Sequence, residues 1–171
     1  MSRKIILLFV LAVVACVSGF FVWRALYGEN DQQVIERKMG EIFQMMGKTG
    51  SEGFVVQLEH ARTIAKYFDE VSEIRLPKFH LESKMSRDDI EKNLIKARNW
   101  TTSLELKMYE PEYHFQEGEP LRCRVNFTGM VDARTKSSGS FQEGYELEMD
   151  WVKKDGEWLV SGVGFTQILN K

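Results

Sequence analysis

FQEGYELEMDW, Phe141 to Trp151, places an apolar side chain at Phe141, Tyr145, Leu147, Met149 and Trp151 and a polar one at Gln142, Glu146, Glu148 and Asp150. That period of two is the pattern of a β-strand buried on one face. The same alternation occurs upstream in LRCRVNFT, where Leu121, Cys123, Val125 and Phe127 interleave with Arg122, Arg124, Asn126 and Thr128. Before that, Leu104, Leu106 and Met108 alternate with Glu105 and Lys107, and beyond Pro111 the parity shifts to Tyr113 and Phe115. A bulge near Glu110-Pro111 accounts for the shift. TKSSGS separates the second strand from the third, and KKDGEW separates the third from a fourth that carries Leu159, Val163 and Phe165. These runs predict an antiparallel sheet of four long strands.

Register follows from the turns. In KKDGEW a two-residue Asp-Gly turn would pair Trp151 with Val160, and a three-residue loop would pair Trp151 with Leu159. The longer loop is preferred, because it places Leu159, Val163 and Phe165 on the face of Trp151, Leu147 and Tyr145. On the opposite face, Arg122 and Arg124 are expected to meet Glu148 and Asp150.

Ahead of the strands the period changes to that of helices. Asn30 or Asp31 caps a first helix with Ile35, Met39, Ile42, Phe43 and Met46 on one face. A second helix carries Phe54, Leu58, Ala61, Ala65 and Phe68, with Val55 and Ile64 beside them, and these stripes read as core. VSEIRLPKFHLESK predicts a short strand or hairpin with Pro77 at an edge. Ser86 opens a third helix, where Asp89 completes a capping box and Ile90, Leu94 and Ala97 form the inner face.

Residues 5–23, IILLFVLAVVACVSGFFVW, contain no charge. A helix of that length rises roughly 28 Å, close to the hydrocarbon thickness of a bilayer. Arg3 and Lys4 precede it, and acidic residues follow soon after Arg24, so the positive-inside bias leaves 1–4 in the cytoplasm. This reading divides the chain into a cytoplasmic N-terminus (1–4), a transmembrane anchor (5–23), a short tether (24–30) and an exported domain (31–171). Two rival readings also export the domain. One is a cleaved signal peptide. The other is a bacterial lipoprotein signal, in which Val13-Val14-Ala15-Cys16 is the lipobox and Cys16 carries the lipid. The expected location is a bacterial cell membrane, single-pass, with the C-terminal domain periplasmic.

The chain has 171 residues, a formal net charge of −2 and two cysteines. Only Cys123 lies outside the apolar run, so an intrachain disulfide within the domain is excluded. No basic stripe suggests nucleic acid. His60, His80 and His114 lack the spacing of metal ligands, and no phosphate-binding or dinucleotide fingerprint occurs, so neither metal nor cofactor is implied. His60 is expected to be solvated.

The order is helix, helix, short strand region, helix, then four long strands. With ESKMSRDDIEKNL leading into the strands and the closing DGEWLVSGVGF, this α+β order resembles the nuclear transport factor 2-like superfamily. The resemblance covers residues 31–169 and implies a cone of curved sheet wrapped around helices, here in a membrane-anchored member. That superfamily includes steroid isomerases, dehydratases, polyketide cyclases, transport adaptors and a membrane-anchored secretion subunit, so the resemblance leaves function open. Its isomerase and cyclase members place an acid inside the open end of the cone. Glu143 matches that position, as it falls on the apolar parity between Phe141 and Tyr145. Tyr67, Glu143, Tyr145 and Trp151 are the candidate pocket residues, with Tyr67 and Asp69 placed at the end of the second helix. The favoured function is a membrane-tethered, non-catalytic module that binds a protein partner or itself. The alternatives are a binder of a small apolar ligand in the cone, and an isomerase-like or dehydratase-like enzyme using Glu143 as base. An apolar outer sheet face over a filled cone distinguishes the first, and a wide, nonpolar cavity the second.

Overall fold

The computed structural model describes residues 29–76, 81–137 and 139–169. The anchor predicted over 5–23, most of the tether, Cys16, Pro77 and His80 lie outside them. Among the described residues, no helix is long and apolar enough to cross a membrane. The chain divides into two units, Met1–Val34 and Ile35–Lys171.

Helix α1 runs Asp31–Met46. Asn30 is its cap: Gln33 N donates to Asn30 Oδ1 at 2.8 Å, and Asn30 N donates to Gln33 Oε1 at 3.0 Å. In the second unit, Ile35, Met39 and Ile42 are the buried side of the helix, as the spacing predicts. Strand β1 is the short Lys48–Thr49. Helix α2, Phe54–Lys66, buries Gln57, Ala61, Ile64 and Ala65. Its first turn departs from the predicted stripe, since Phe54 is 65% and Val55 74% exposed. The packed face begins only at Gln57, one turn further along. Phe68 and Asp69 belong to β2, Phe68–Leu76, and not to the second helix. β2 forms a hairpin with β3, Leu81–Ser86.

Helix α3, Arg87–Trp100, starts on the expected capping box. Asp89 N donates to Ser86 Oγ and Ser86 N donates to Asp89 Oδ2, both at 3.2 Å. Four long strands follow: β4 Thr101–Gln116, β5 Arg122–Thr135, β6 Gly139–Lys154 and β7 Glu157–Leu169.

These strands do not stand alone. Among the described residues the sheet has seven strands in the order β1-β4-β5-β6-β7-β2-β3, so the four predicted long strands are joined by β1 and by the expected hairpin, β2–β3. β1 adds to the outer edge of β4, and β2 lies parallel to β7. The periodicity of β4 to β7 reports each strand's faces but not what borders the edge strands, so these additions were not evident in it.

The sheet bends where its ladders slip. Between Tyr109 and Glu112 the β4–β5 register shifts, and Glu110 takes φ 51°, at the site the parity change predicts. The β6–β7 turn contradicts the preferred loop. Asp155 and Gly156 have φ 51° and 83°, the mirror-type two-residue turn, and Trp151 pairs with Val160. A register shift then follows, with Asp150 opposite Gly162 and Met149 opposite Val163. The extra residue, Ser161, is a bulge that returns Val163 and Phe165 to the face of Met149 and Leu147, whereas Leu159 stands opposite Val152 and not with Trp151.

The core at the turn end of the sheet is aromatic. Trp151 is 0% and Trp158 1% exposed. Cys123 is buried there with Val125. Desolvation raises the Cys123 thiol to about 11.

Candidate ligand-binding cavity

Past the tryptophans the core is not filled. A cavity of about 480 Å³ opens between the curved sheet and the helices. The sheet supplies Leu106 from β4, Phe127 and Val131 from β5, Leu147 and Met149 from β6, and Phe165 from β7. Ile42, Phe43 and Met46 close it from α1, and Ile90, Leu94 and Ala97 from α3. Phe43 meets Phe127 edge-on at a centroid distance of 5.7 Å. Phe165, predicted as core, is half-buried in this wall, its ring tilted against Tyr145 at 5.7 Å.

Gly129 has a specific part in the wall. A Cβ built there would stand 2.5 Å from Leu147 Cδ1, so only glycine leaves room for Leu147 as it lies.

Two side chains with hydrogen-bonding groups appear among the described lining residues, Asn93 and Tyr145. Asn93 is exposed on α3 and donates to Met85 Sδ at 3.5 Å. With the exposed Ala97 it marks the mouth. Tyr145 is buried, and its hydroxyl donates to the Glu143 carboxylate. Glu143 is half-buried and lies beside the lining rather than within it.

The remaining sequence candidates lie elsewhere. Tyr67 donates its hydroxyl to Glu41 outside the cavity. That bond raises the Tyr67 hydroxyl and, with Arg37, lowers the Glu41 carboxyl. Trp151 is packed in the solid end of the core, beyond the bulge. Asp69 is bound by Lys154 at 2.6 Å. Asn93 and Gly129 were not singled out in the sequence. Asn93 lies one turn after Ile90, and that spacing was its only signal.

The outer sheet face is charged. Arg124 Nε donates to Asp150 Oδ1 at 2.7 Å, as the alternation predicts. Arg122 stands opposite Val152 instead, and Arg75 from β2 takes its expected place, donating to Asp150 Oδ2 at 3.1 Å. The hydrogen bonds that Arg75 donates to Glu148 and Asp150 raise its guanidinium, and the bond that Arg124 donates to Asp150 does the same for Arg124.

A second ionic cluster closes the helical layer. Arg98 is 3% exposed and donates to Glu52 Oε1 at 2.7 Å and to the Met45 carbonyl at 2.7 Å. His60, expected to be solvated, is half-buried, with its Nδ1 3.1 Å from Arg98 Nη2. Lys48 Nζ donates to the Arg98 and Thr101 carbonyls at 2.6 and 2.7 Å, and burial lowers the Lys48 ammonium. Among the described residues, no group of three or more His, Cys, Asp or Glu is arranged to hold a metal ion.

No family model matches the sequence. No curated protein matches it either. Solved structures do match. A putative scytalone dehydratase from Novosphingobium aromaticivorans superposes with a TM-score of 0.60 at 16% identity, covering 82% of this chain and 87% of its own. The fold is that of the nuclear transport factor 2-like cone. A hexachlorocyclohexane dehydrochlorinase LinA-type3 from Novosphingobium barchaimii gives 0.62 at 7% identity, covering 81% and 88%. A putative calcium/calmodulin dependent protein kinase II association domain from Xanthomonas campestris gives 0.59 at 8%, covering 81% and 89%. At these identities the likeness shows the fold alone, and it joins enzymes and an association domain on one scaffold.

Proposed function

We propose that this chain is a membrane-tethered, non-catalytic module of the bacterial cell envelope whose exported cone takes up a small apolar ligand. The observation that carries this is the cavity of about 480 Å³, whose described lining holds a single buried hydrogen-bonding side chain, Tyr145. A cavity of that size and character suits an apolar small molecule, since transfer of apolar surface from water is the main driving force available there. The charged outer face of the sheet argues against self-association through an apolar sheet surface. The tether is supported by the uncharged run 5–23 behind Arg3 and Lys4.

The non-catalytic reading rests on convergence. Proton transfer needs a base and an acid or oxyanion donor directed at one reacting atom. Glu143 lies outside the described lining, and the Tyr145 hydroxyl donates to it.

Equilibrium dialysis of the detergent-solubilised full chain with 2-methylnaphthalene tests the proposal. Saturable binding near one molecule per chain is expected. Ala97→Trp at the mouth should weaken it at least tenfold with unchanged melting. Non-saturable uptake, or binding indifferent to Ala97→Trp, would overturn the cavity as the site.

A further inference from the structure

We infer that an apolar tip at one end of the helical layer, formed by Phe54, Val55, Val56 and Trp100, inserts into the lipid bilayer that the tether keeps beside the domain. The inference rests on the membrane-tethered reading above and adds a second contact with that membrane. Phe54, Val55 and Val56 are consecutive, and they are 65%, 74% and 43% exposed. Three successive residues of an α-helix span roughly 200° of its circumference, so no rotation of α2 against its neighbours would bury all three. The first turn stands out from the packed layer, which takes hold at the buried Gln57.

Trp100 lies at the same end. Arg98 donates to Glu52 Oε1 at 2.7 Å, and Arg62 meets Glu91 at 3.7 Å. Those two pairs run α2 and α3 antiparallel, so the start of α2 lies beside the end of α3. Trp100 closes α3 there and is 50% exposed. Its carbonyl accepts from Lys136 N at 3.1 Å, which brings the exposed Lys136 to that end as well. Valine and phenylalanine suit the acyl boundary of a bilayer, and tryptophan and lysine suit its headgroup level.

The occupant follows from the chain that precedes the described residues. The uncharged run 5–23 reads as a span, and residues 24–30 reach at most ~25 Å when fully extended, so a bilayer is always within reach of the domain. At such an effective concentration, a patch too small to hold a free protein on a membrane can still dock a tethered one. A second copy of the chain is a poorer cover, because a stable interface buries far more surface than four side chains offer.

The test uses the full chain in vesicles of phosphatidylethanolamine and phosphatidylglycerol. A nitroxide is placed on Val55→Cys or, as a control, on Val71→Cys, both in a Cys16→Ala background. Val71 is 55% exposed and belongs to β2, which follows the far end of α2. Cys123 is buried and should stay unlabelled. The label at 55 should collide readily with oxygen, which partitions into lipid, and several-fold less often than the label at 71 with a water-soluble nickel chelate. Phe54→Ser with Val56→Ser should raise nickel access at 55 to the level at 71, with unchanged melting in detergent. Equal nickel access at 55 and 71, in chain that floats with the vesicles, would overturn the bilayer contact and leave the tether standing. Spin–spin broadening between labels at 55 that persists in detergent would assign the patch to self-association and overturn the contact as well. Chain that does not float with the vesicles would overturn both tether and contact.

Discussion

Arg75 on β2 reaches across the whole width of β7 to Glu148 on β6, its Nη2 donating to Oε1 at 2.5 Å. Adjacent strands stand about 4.8 Å apart, so this pair spans two ladders and needs a gap in the strand between them. Gly162 and Gly164 provide it. Gly162 lies in register between Glu73 and Asp150, and Gly164 between Arg75 and Glu148. A Cβ at Gly164 would stand 3.0 Å from Glu148 Oε1 and 3.4 Å from Arg75 Nε.

Gly164→Val should therefore displace the Arg75–Glu148 pair and destabilise the fold by about 1–3 kcal/mol, chiefly by overpacking. The exposed half of the ion pair contributes little by itself. Arg75→Met in the same background should add almost nothing further, which chemical denaturation of the single and double variants will show.

Arg98 and Glu52 differ from that surface pair in burial, with side chains 4% and 15% exposed. Removing one partner of such a pair leaves a buried charge without its counterion. Glu52→Ala should cost about 3 kcal/mol. Arg98→Met together with Glu52→Ala should cost less than the two single losses added. A double-mutant cycle on denaturation midpoints checks this.

Cys123 connects burial to pH. Its thiol is raised to about 11 from 9.0, so between those values the unfolded chain gives up a proton that the folded chain keeps. The folded state then binds more protons, and stability falls as pH rises through that window. Wild type should lose stability relative to Cys123→Val from pH 9 to 11, as paired urea titrations will report. At neutral pH the native thiol should resist a thiol reagent and react only after denaturation.

Trp151→Ala should destabilise by about 3–5 kcal/mol, since Trp151 is 0% exposed in the solid part of the core. Thermal melting of the full chain is the readout, and a nearly unchanged midpoint would contradict that placement.

The strands and helices were legible because each carries one buried face, and that face fixes a period. Asn30, Ser86 and Asp89 announced helix starts by the same local logic, and the parity change at Glu110-Pro111 announced a bend. Non-local placement left a fainter mark. Nothing in Lys48-Thr49 marks an edge strand, and nothing near Arg75 says that two glycines on another strand will let it through. The Asp155-Gly156 turn is hidden in the sequence because a bulge at Ser161 gives Val163 and Phe165, though not Leu159, the face that a longer loop would give them. At the cavity, Tyr145 was found by parity. Trp151 shares that parity but packs beyond the bulge, where the cone is closed. Tyr67 belongs to a helix end, and its contact with Glu41 depends on how two helices are placed.

The anchor carries its own expectation. Full-length chain should fractionate with membranes and keep an N-terminus unchanged apart from Met processing. Mass spectrometry decides the point, since a diacylglycerol adduct on Cys16 would identify the lipoprotein alternative.

The central claim is that an apolar molecule occupies the cone, and the methionines report on it directly. Met46, Met85, Met130 and Met149 line the cavity, while Met39 and Met108 do not. The measurement is a titration of methyl-¹³C-methionine full chain with 2-methylnaphthalene, followed by NMR. Saturable shifts at Met46, Met85, Met130 and Met149, with Met39 and Met108 unmoved, are the predicted result. Shifts confined to Met39 and Met108, or no saturable shift at all, would contradict it.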